Sequence, residues 1–288
     1  MKVAVIGADG QLGNDVCAFF GGKGHRVVPL VWEQMDISDR AAVSEALGEI
    51  KPELIINTAA MHHVDQCELD PEKAFRVNGI GSRNLARFAV DAGSMLMHVS
   101  TDYVFSGEKG APYLEDDCPR PLNVYGTTKL AGEYFIRAIA EKYYILRVSG
   151  LYGTHPCLAK GLNFVDLMLK FAGERKEVRV VGDEILTPTF TEDVARQMSV
   201  MIENRAEYGL YHATAEGSCS WYEFAREIFS LTGTRVILNM ALPGEFPQKV
   251  PRPKYSVLEN GRLKSQGLNV MEHWKEGLDR YLKHKPGT

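Results

Sequence analysis

The sequence predicts an α/β fold in which a Rossmann-type, doubly wound parallel sheet carries a smaller C-terminal α+β portion. Two observations lead to this prediction. Short apolar segments alternate with amphipathic helical patterns through about residue 150, and the first apolar segment runs directly into a glycine-rich turn. Beyond that point the alternation is less regular. We therefore expect a dinucleotide-binding domain over residues 1–150 and a mostly substrate-binding portion over residues 151–288, from which segments could return to the main sheet.

Each strand is predicted from a short run rich in apolar and β-branched residues, and each helix from apolar residues that recur every three or four positions. The expected strands of the main sheet cover residues 2–7, 25–31, 53–60, 94–101 and 143–153. The expected helices between them cover residues 11–24, 39–52, 71–93 and 129–142. In the C-terminal portion we expect helices at 163–174 and 221–233 and short strands at 178–181 and 209–214.

The composition is that of an ordinary soluble globular protein. The chain has 288 residues and a net charge of −4, with 45% hydrophobic and 24% charged residues. The mild acidity gives no support to a nucleic-acid partner. No apolar run approaches the roughly 20 residues that span a bilayer. The first ten residues are expected to form a strand rather than a signal peptide.

The cysteines indicate a reducing compartment. They are odd in number, lack a CxxC spacing, and stand at positions 17, 67, 118, 157 and 219. Such a scattered set is typical of reduced thiols and argues against a zinc site or a disulfide framework. We therefore expect a cytoplasmic protein without membrane or nucleic-acid partners.

The first predicted strand leads into GADGQLG, residues 7–13, in which Gly7, Gly10 and Gly13 have a GxxGxxG spacing. Glycines allow a tight turn and let the backbone approach a pyrophosphate, which the N-terminus of the following helix then stabilises. A glycine-rich turn that binds nothing is the alternative. The position of this one, at the first turn of a βαβ unit, favours a dinucleotide.

The end of the second strand leaves the choice between NADH and NADPH open. An acidic residue there favours NAD, and a basic residue accommodates a 2′-phosphate. In PLVWEQMDISD, residues 29–39, Glu33 is either the ribose acid or a loop charge, and the next basic residue is Arg40. Asp36 and Ile37 suit an edge contact to adenine.

A tyrosine and a lysine stand four residues apart in VYGTTKLAGE, residues 124–133. Because positions i and i+4 share a helix face, the Lys129 ammonium is expected beside the Tyr125 phenol, where it would lower a pKa of about 10. Upstream, Ser100 and Thr101 end a predicted strand, at the sheet edge where ligands bind. A hydroxyl there could hold a carbonyl oxygen that Tyr125 protonates while a nicotinamide gives hydride. Each of these residues alone is more often a surface or turn residue, but their combination with the glycine turn favours a reductase.

These motifs follow the order found in the extended short-chain dehydrogenase/reductase superfamily, and the chain most closely resembles its dTDP-4-dehydrorhamnose reductase family. The resemblance covers residues 2 to about 285. It is carried by GADGQLG, ELIINTAAMHHVDQCELDPEKAFRVN, HVSTDYVFSG, PLNVYGTTKLAGE and PRPKYSVLENGRL. It implies reduction of the 4-keto group of a nucleotide-linked 6-deoxy-4-hexulose with NADPH or NADH, most closely dTDP-4-dehydro-L-rhamnose to dTDP-L-rhamnose.

The resemblance also implies the site residues. Thr101, Tyr125 and Lys129 would be the catalytic set, and the last two would also contact the cofactor. Thr101, Asp102 and Arg252 would bind the substrate, with Arg252 as a partner for its diphosphate. The other cofactor contacts would be Gly7, Gly10, Gln11, Leu12, Gly13, Asp36, Ile37, Ala60, Met61 and His62.

Two features depart from the family pattern. Many members carry a tryptophan where this chain has Gly150, which leaves the exact sugar open. Some members dimerise around Mg²⁺ held by carboxylates. Asp15 and Glu192 match two of these carboxylates, but the C-terminal stretch offers His284 in place of another. We therefore predict no bound metal, and a homodimer stays open.

Other functions remain open at the level of sequence. Another nucleotide-sugar 4-reductase or a 4-epimerase would share the superfamily motifs, although epimerases usually lack the STDYVF run. A 4,6-dehydratase would need a glutamate where this chain has Tyr103. A non-catalytic dinucleotide-binding subunit, such as the reductase-like regulatory subunit of methionine adenosyltransferase, would bind the cofactor without turnover.

Overall fold

The computed structural model describes residues 1–155, 161–242, 244–246 and 250–285. The strands are β1 (Lys2–Ile6), β2 (Arg26–Leu30), β3 (Leu54–Asn57), β4 (Met95–Thr101), β5 (Tyr143–Val148), β6 (Leu151–Tyr152), β7 (Glu177–Val180), β8 (Ile185–Leu186), β9 (Thr189–Phe190), β10 (Gly209–His212), β11 (Cys219–Ser220) and β12 (Ile237–Met240). The helices are α1 (Gln11–Gly22), α2 (Arg40–Ile50), α3 (Val64–Leu69), α4 (Pro71–Phe75), α5 (Gly81–Ala92), α6 (Val124–Ile139), α7 (Phe164–Glu174), α8 (Thr191–Glu203), α9 (Trp221–Thr232), α10 (Gly261–Ser265) and α11 (Trp274–His284). No helix among these residues is long and apolar enough to cross a lipid bilayer.

The main sheet is parallel, and its strand order within the described residues is β10-β5-β4-β3-β1-β2. Helices α1 and α8 contribute apolar residues to the core on one face, and α2, α5 and α6 to the core on the other. The chain runs from β1 outward to β2 and then crosses to β3 on the other side of β1. Ligands bind outside the carboxyl ends of the strands at such a reversal. The predicted doubly wound α/β fold is confirmed.

The C-terminal portion has a core of its own and also completes the main sheet. Strand β10 is the outer strand beside β5, and α8 packs against α1. Its short strands form the pairs β11-β8, β12-β7 and β6-β9 within the described residues. Its own core is rich in aromatic side chains, among them Tyr152, Phe190, Phe224, Trp274 and Tyr281. The portion therefore packs along the first domain rather than hanging from it by a linker.

The predicted helix over residues 71–93 contains a break in its hydrogen-bond pattern. A π-helical turn, Arg76–Ile80, separates α4 from α5. The turn packs closely on α6, because a Cβ at Gly132 would lie 2.6 Å from the carbonyl oxygen of Asn78. Single π turns inside helices frequently mark functional positions.

The predicted strand over residues 143–153 is two strands in the structure. Gly150 separates β5 from β6 and has a φ of +56°, a conformation that side chains other than glycine rarely adopt. A Cβ at Gly150 would also lie 2.9 Å from the carbonyl oxygen of Thr187. A tryptophan at this position would therefore require a different local backbone.

Candidate active site

The turn between β1 and α1 is shaped by three glycines. A Cβ at Gly7 would lie 2.8 Å from the backbone nitrogen of Ala59, and a Cβ at Gly13 would lie 2.1 Å from the Gly7 carbonyl oxygen. At Gly10, the nearest described atom to a Cβ is that same oxygen, at 3.3 Å. The turn can therefore pack this closely only because Gly7 and Gly13 lack a side chain. Gly10 leaves space in front of the N-terminus of α1. That space fits the pyrophosphate of a dinucleotide.

The two residues after Gly10 support the turn. Leu12 is buried in the core between α1 and the sheet. The Gln11 side-chain amide donates to the carbonyl oxygens of Gly153 at 3.1 Å and His155 at 2.9 Å. Because both side chains are engaged elsewhere, any contact from Gln11 or Leu12 to a cofactor phosphate would come from the backbone.

The loop after β2 holds Asp36 and Ile37 in a fixed conformation. The Asp36 carboxylate accepts the backbone N–H of Ser38 at 2.8 Å. Ile37 is buried, and its carbonyl accepts a hydrogen bond from the Asn84 amide of α5 at 3.0 Å. These contacts give the loop a defined backbone, so an adenine edge contact there would need no further folding.

The segment that follows β3 is held by Asn78 of the π-helical turn. The Asn78 side chain accepts the N–H of Met61 at 2.9 Å, and its amide donates to the Met61 carbonyl at 3.0 Å. The same amide donates to the Thr128 hydroxyl of α6 at 3.1 Å. Ala60 and His62 flank Met61 in this segment. Asn78 therefore fastens the expected nicotinamide side of the site to the helix that carries Tyr125.

Helix α6 brings Tyr125 to the carboxyl end of β4. The helix begins at Val124, earlier than predicted, because the Asn123 side chain caps it by accepting the N–H of Gly126 at 2.9 Å. The hydroxyl of Thr101, the last residue of β4, acts on the Tyr125 phenol and opposes the rise in its pKa that burial causes. The structure thus brings together the two hydroxyls that the sequence placed in the catalytic set.

Asp102 lies behind Thr101. Its side chain is buried and accepts hydrogen bonds from the Thr101 hydroxyl at 3.1 Å and the Ser149 hydroxyl at 2.8 Å. Burial raises the pKa of Asp102, and hydrogen bonds from Ser256, Ser149 and Thr101 oppose that rise.

Lys129 does not act on Tyr125 as its spacing predicted. Its side chain is 2% exposed, and its amine donates to the carbonyl oxygen of Val99 at 2.6 Å and lies 3.2 Å from Nε2 of His98. Burial lowers the pKa of Lys129 to about 8, against an opposing effect of Glu133.

The predicted fall in the Tyr125 pKa is wrong in this structure. Burial raises the pKa of Tyr125, the hydrogen bond from Thr101 opposes the rise, and the charges that act on the phenol are those of Asp102 and Cys67. The physical reason is the direction of the Lys129 side chain, which runs under α6 to β4 instead of along the helix surface.

The opposite wall of the site comes from the 3₁₀ turn after β4 and from the loop before α10. The Tyr103 ring meets the Tyr125 ring edge to face, with centroids 5.8 Å apart. Arg252 acts on the pKa of Tyr103 by its charge, and its guanidinium lies 4.0 Å from the Asp65 carboxylate. Lys254 points elsewhere, toward Asp183 at 3.4 Å. The structure therefore places Arg252, but not Lys254, close to Tyr103, whose ring contacts that of Tyr125.

The residues that matched family metal ligands make other contacts. The Thr191 hydroxyl donates to the Asp15 carboxylate, and the His284 ring lies 3.3 Å from the Glu192 carboxylate. In the described part of the chain, no group of three or more His, Cys, Asp or Glu side chains is arranged to hold a metal ion.

Sequence reasoning missed three buried polar residues beside the predicted ones: Asn57, Asn78 and His98. Asn57 and His98 stand in otherwise apolar strands, and a polar residue in a buried strand is a signal that could have found them. Asn78 gave no comparable signal, because it falls within an amphipathic helical pattern.

Known proteins match the chain over nearly its whole length. The family model described as RmlD substrate binding domain matches residues 1–286. A solved dTDP-4-dehydrorhamnose reductase from Clostridium acetobutylicum is 41% identical, with a TM-score of 0.93, and the match covers 98% of this chain and 99% of that one. The chain belongs to the dTDP-4-dehydrorhamnose reductase family. The family assignment made from the sequence is thus confirmed, and with it the class of NAD(P)H-dependent oxidoreductases.

Two further relatives extend the family comparison. A dTDP-4-dehydrorhamnose reductase from Bacillus anthracis, solved in complex with NADP, is 37% identical with a TM-score of 0.93, and the match covers 99% of both chains. The spore coat polysaccharide biosynthesis protein SpsK of Bacillus subtilis is 38% identical over 284 residues, which cover 99% of this chain and 98% of that protein.

Proposed function

We propose that this chain reduces the 4-keto group of dTDP-4-dehydro-L-rhamnose to give dTDP-L-rhamnose, with NADPH as the hydride donor. The observation that carries the proposal is that the Tyr125 and Thr101 hydroxyls interact at the carboxyl end of β4. The glycine turn opens at the carboxyl end of β1 in the same parallel sheet. Hydroxyls and turn therefore lie along one edge, where α/β sheets bind their ligands.

The cofactor sites in the proposal follow the turn and the strand ends. The backbone of residues 7–13 would hold the pyrophosphate, Asp36 and Ile37 the adenine, and Ala60, Met61 and His62 the nicotinamide side. Tyr125 and Lys129 would face the nicotinamide ribose. NADPH is proposed because the relative from Bacillus anthracis was solved with NADP. NADH is tested beside it, because residues 31–39 hold no lysine or arginine for a 2′-phosphate.

The chemistry adds a hydride to C4 and a proton to the 4-keto oxygen. The nicotinamide supplies the hydride when it is bound. The Thr101 hydroxyl, which donates to Asp102 in this structure, would turn its proton to the keto oxygen, and Tyr125 would give that oxygen its proton. The phenolate regains a proton from solvent. Because burial raises the Tyr125 pKa, the residue begins each turnover as a neutral acid at physiological pH.

The substrate side of the proposal rests on Arg252, Asp102 and Gly150. The charge of Arg252 acts on the pKa of Tyr103, and Arg252 would pair with the diphosphate of the nucleotide sugar. Asp102 would act through Thr101, whose hydroxyl it orients. Gly150 carries no side chain toward the sugar, so sugars other than 4-dehydrorhamnose belong in the test.

The test is a panel of 4-keto-6-deoxy sugar nucleotides, offered as dTDP and UDP forms with NADPH and with NADH, and followed by loss of nicotinamide absorbance. We expect the highest kcat/KM for dTDP-4-dehydro-L-rhamnose with NADPH. Stoichiometric loss of reduced cofactor with formation of dTDP-L-rhamnose supports the proposal. Interconversion of sugar epimers without net cofactor loss would indicate an epimerase. Cofactor binding without turnover of any sugar would indicate a regulatory subunit.

The proposal includes a cytoplasmic location and a water-borne nucleotide sugar as the partner. The net charge of −4 gives no support to a nucleic-acid partner. Fractionation of the producing cell tests the location, and enrichment with the membrane fraction would contradict it. Light scattering on the purified chain measures whether it is a homodimer.

A further inference from the structure

A buried polar network crosses the main sheet beneath α6. Asn57 ends β3, and His98 is its direct neighbour in the parallel register with β4. Both side chains are 1% exposed. The Asn57 amide lies 3.0 Å from Nδ1 of His98, and the other ring nitrogen, Nε2, lies 3.2 Å from the Lys129 amine. The network therefore connects the end of β3 with the lysine of the catalytic helix.

The directions of these hydrogen bonds follow from one backbone group. The backbone N–H of Ala59 can only donate, and it lies 3.1 Å from the Asn57 side chain. The Asn57 atom that faces it must therefore be the carbonyl oxygen, so the NH₂ group faces His98. Since an amide NH₂ has no accepting lone pair, Nδ1 of His98 must be the acceptor. A neutral His98 then carries its only ring proton on Nε2.

That tautomer determines what the Lys129 amine can do. The Nε2–H of His98 points at the amine and needs an acceptor there. An ammonium has three N–H donors and no lone pair, whereas a neutral amine can accept from Nε2–H while it donates to the Val99 carbonyl at 2.6 Å. The neutral amine satisfies both contacts, and the ammonium would set two donors against each other.

The other ionisable groups around Lys129 do not compensate for this arrangement. Glu133 of α6 favours the ammonium, but its carboxylate is fully buried and bound by two bonds from the Arg147 guanidinium of β5, at 2.9 and 2.6 Å. Tyr125, one turn earlier on α6, is a neutral phenol with a raised pKa. Burial holds the pKa of His98 of β4 well below its ordinary value, so His98 stays neutral.

We propose that Asn57 and His98 hold the Lys129 side chain on β4 in an arrangement that fits its neutral amine, and that the ribose hydroxyls of the cofactor draw it off β4, so that in alkaline solution, where the cofactor-free side chain is neutral, it takes up one proton from solvent. His98 and Asn57 are thus positioning residues that act through Lys129. The proposal deepens the proposed function, because it rests on a dinucleotide at this site. Above about pH 8, the charge of Lys129 would therefore depend on the cofactor.

The first test is made on the cofactor-free chain by NMR with labelled histidine and lysine side chains. We expect His98 to be protonated on Nε2 and to remain neutral from pH 6 to pH 10. We expect the Lys129 ε-methylene signal to titrate with a pKa near 8, well below the exposed lysines in the same spectrum. A proton on Nδ1 of His98, or an ordinary lysine pKa of about 10.4, would overturn the proposal.

The second test measures proton uptake when NADP⁺ binds, by calorimetry at pH 9 in buffers of different ionisation enthalpy. At that pH the 2′-phosphate is fully ionised and contributes no proton. If the Lys129 pKa rises from about 8 to about 10.4, uptake should be about 0.9 proton per chain at pH 9 and about 0.1 at pH 7. The variant Lys129→Met is the matched control and should lose this uptake. Uptake that is equal at both pH values, or that persists in the variant, would contradict the proposal.

The variant Asn57→Asp reverses the network. A carboxylate accepts both from Ala59 N–H and from the histidine ring, so His98 should carry its proton on Nδ1 and present a lone pair to Lys129. We expect the Lys129 pKa to rise toward 10.4 and proton uptake at pH 9 to fall below about 0.3. An unchanged tautomer and unchanged uptake would count against the network. Both NMR measurements on the parent chain decide the matter even if this variant does not fold.

These measurements use no keto-sugar, so they separate the proposal from the reaction. A chain that binds NADP⁺ with proton uptake but reduces no sugar would contradict the proposed function and support the proposal about Lys129. A chain that reduces the sugar while Lys129 has an ordinary pKa of about 10.4 without cofactor would support the proposed function and contradict the proposal about Lys129.

Discussion

Two lysines on opposite walls of the active site show how differently those walls are built. The Lys129 side chain is 2% exposed and its amine is 2.6 Å from a strand carbonyl. The Lys254 side chain is 77% exposed, and its partner Asp183 is 71% exposed at 3.4 Å. The wall made by the main sheet is thus fixed before any ligand arrives, whereas the wall made by the C-terminal loops carries charges that are still solvated.

The two lysines also differ in their effect on the stability of the fold. Burying an amine disfavours its charged form, and at Lys129 the contacts with Val99 and His98 hold the buried amine at a defined place. A surface ion pair such as that of Lys254 contributes about 0–1 kcal/mol and constrains little. We therefore expect substitutions in the sheet wall to change rate, cofactor affinity and stability, and substitutions in the loop wall to change only the KM for the sugar nucleotide.

The largest expected effect is on rate and tests the sheet wall directly. Tyr125→Phe removes the proton donor and keeps the ring, so kcat should fall about 10²–10⁴-fold with little change in cofactor affinity. Tyr134→Phe is the matched control, because Tyr134 lies on the same helix and is 52% exposed. Steady-state kinetics of both variants test this prediction. A Tyr125→Phe variant with the parent kcat would show that another group gives the proton.

Two substitutions in the glycine turn should affect stability and cofactor binding separately. Gly13→Ala places a Cβ 2.1 Å from the Gly7 carbonyl oxygen, so it should lower the free energy of unfolding by about 1–3 kcal/mol. Gly10→Val places its Cβ 3.3 Å from the same oxygen, so it should lower stability less than Gly13→Ala does, and it should weaken NADP⁺ binding at least about tenfold. Chemical denaturation and calorimetric titration measure the two effects. Unchanged NADP⁺ affinity in Gly10→Val would remove the turn from the cofactor site.

Lys129→Met should make the protein more stable while it damages function. The Lys129 pKa falls from 10.5 to about 8 on folding, which at pH 7 costs roughly 3 kcal/mol of unfolding free energy, and loss of the Val99 hydrogen bond returns about 1 kcal/mol of that. We expect a gain of about 2 kcal/mol at pH 7. The unfolded chain binds the extra proton between pH 8 and pH 10.5, so parent stability rises with pH there and the gain should shrink.

Denaturation curves of Lys129→Met and its parent at pH 7 and pH 10 measure this change. Lys142→Met is a suitable control, since Lys142 is an exposed lysine at the start of β5. A Lys129→Met variant that is equally stable at both pH values relative to the parent would show that the lysine carries no burial penalty.

The smallest expected effect distinguishes the two cations of the loop wall. Arg252→Gln should raise the KM for the sugar nucleotide roughly tenfold, as expected for loss of one charge-assisted contact of about 1.4 kcal/mol, and should leave NADP⁺ affinity unchanged. Lys254→Gln should change KM less than about twofold, because its charge is already solvated. Equal effects of the two substitutions would mean that the loop rearranges when substrate binds.

The site could be predicted from sequence as far as its motifs are local. The glycine spacing and the Thr101 and Tyr125 positions depend on residues within one turn or at one strand end, and the structure places both hydroxyls together. The state of Lys129 could not be predicted, because it depends on Val99 and His98 in a strand about 30 positions away.

The sequence by itself determined the alternation of strands and helices, the glycine turn, the family and the class of reaction. All of these follow from periodicity, from backbone freedom or from the order of motifs along the chain. The tertiary structure alone decided that β10 completes the main sheet, that Asn78 joins the Met61 segment to α6, and that Asn57 meets His98 beneath Lys129. Each of these is a contact between residues distant in sequence. Packing selects such contacts from many alternatives that the local pattern allows equally.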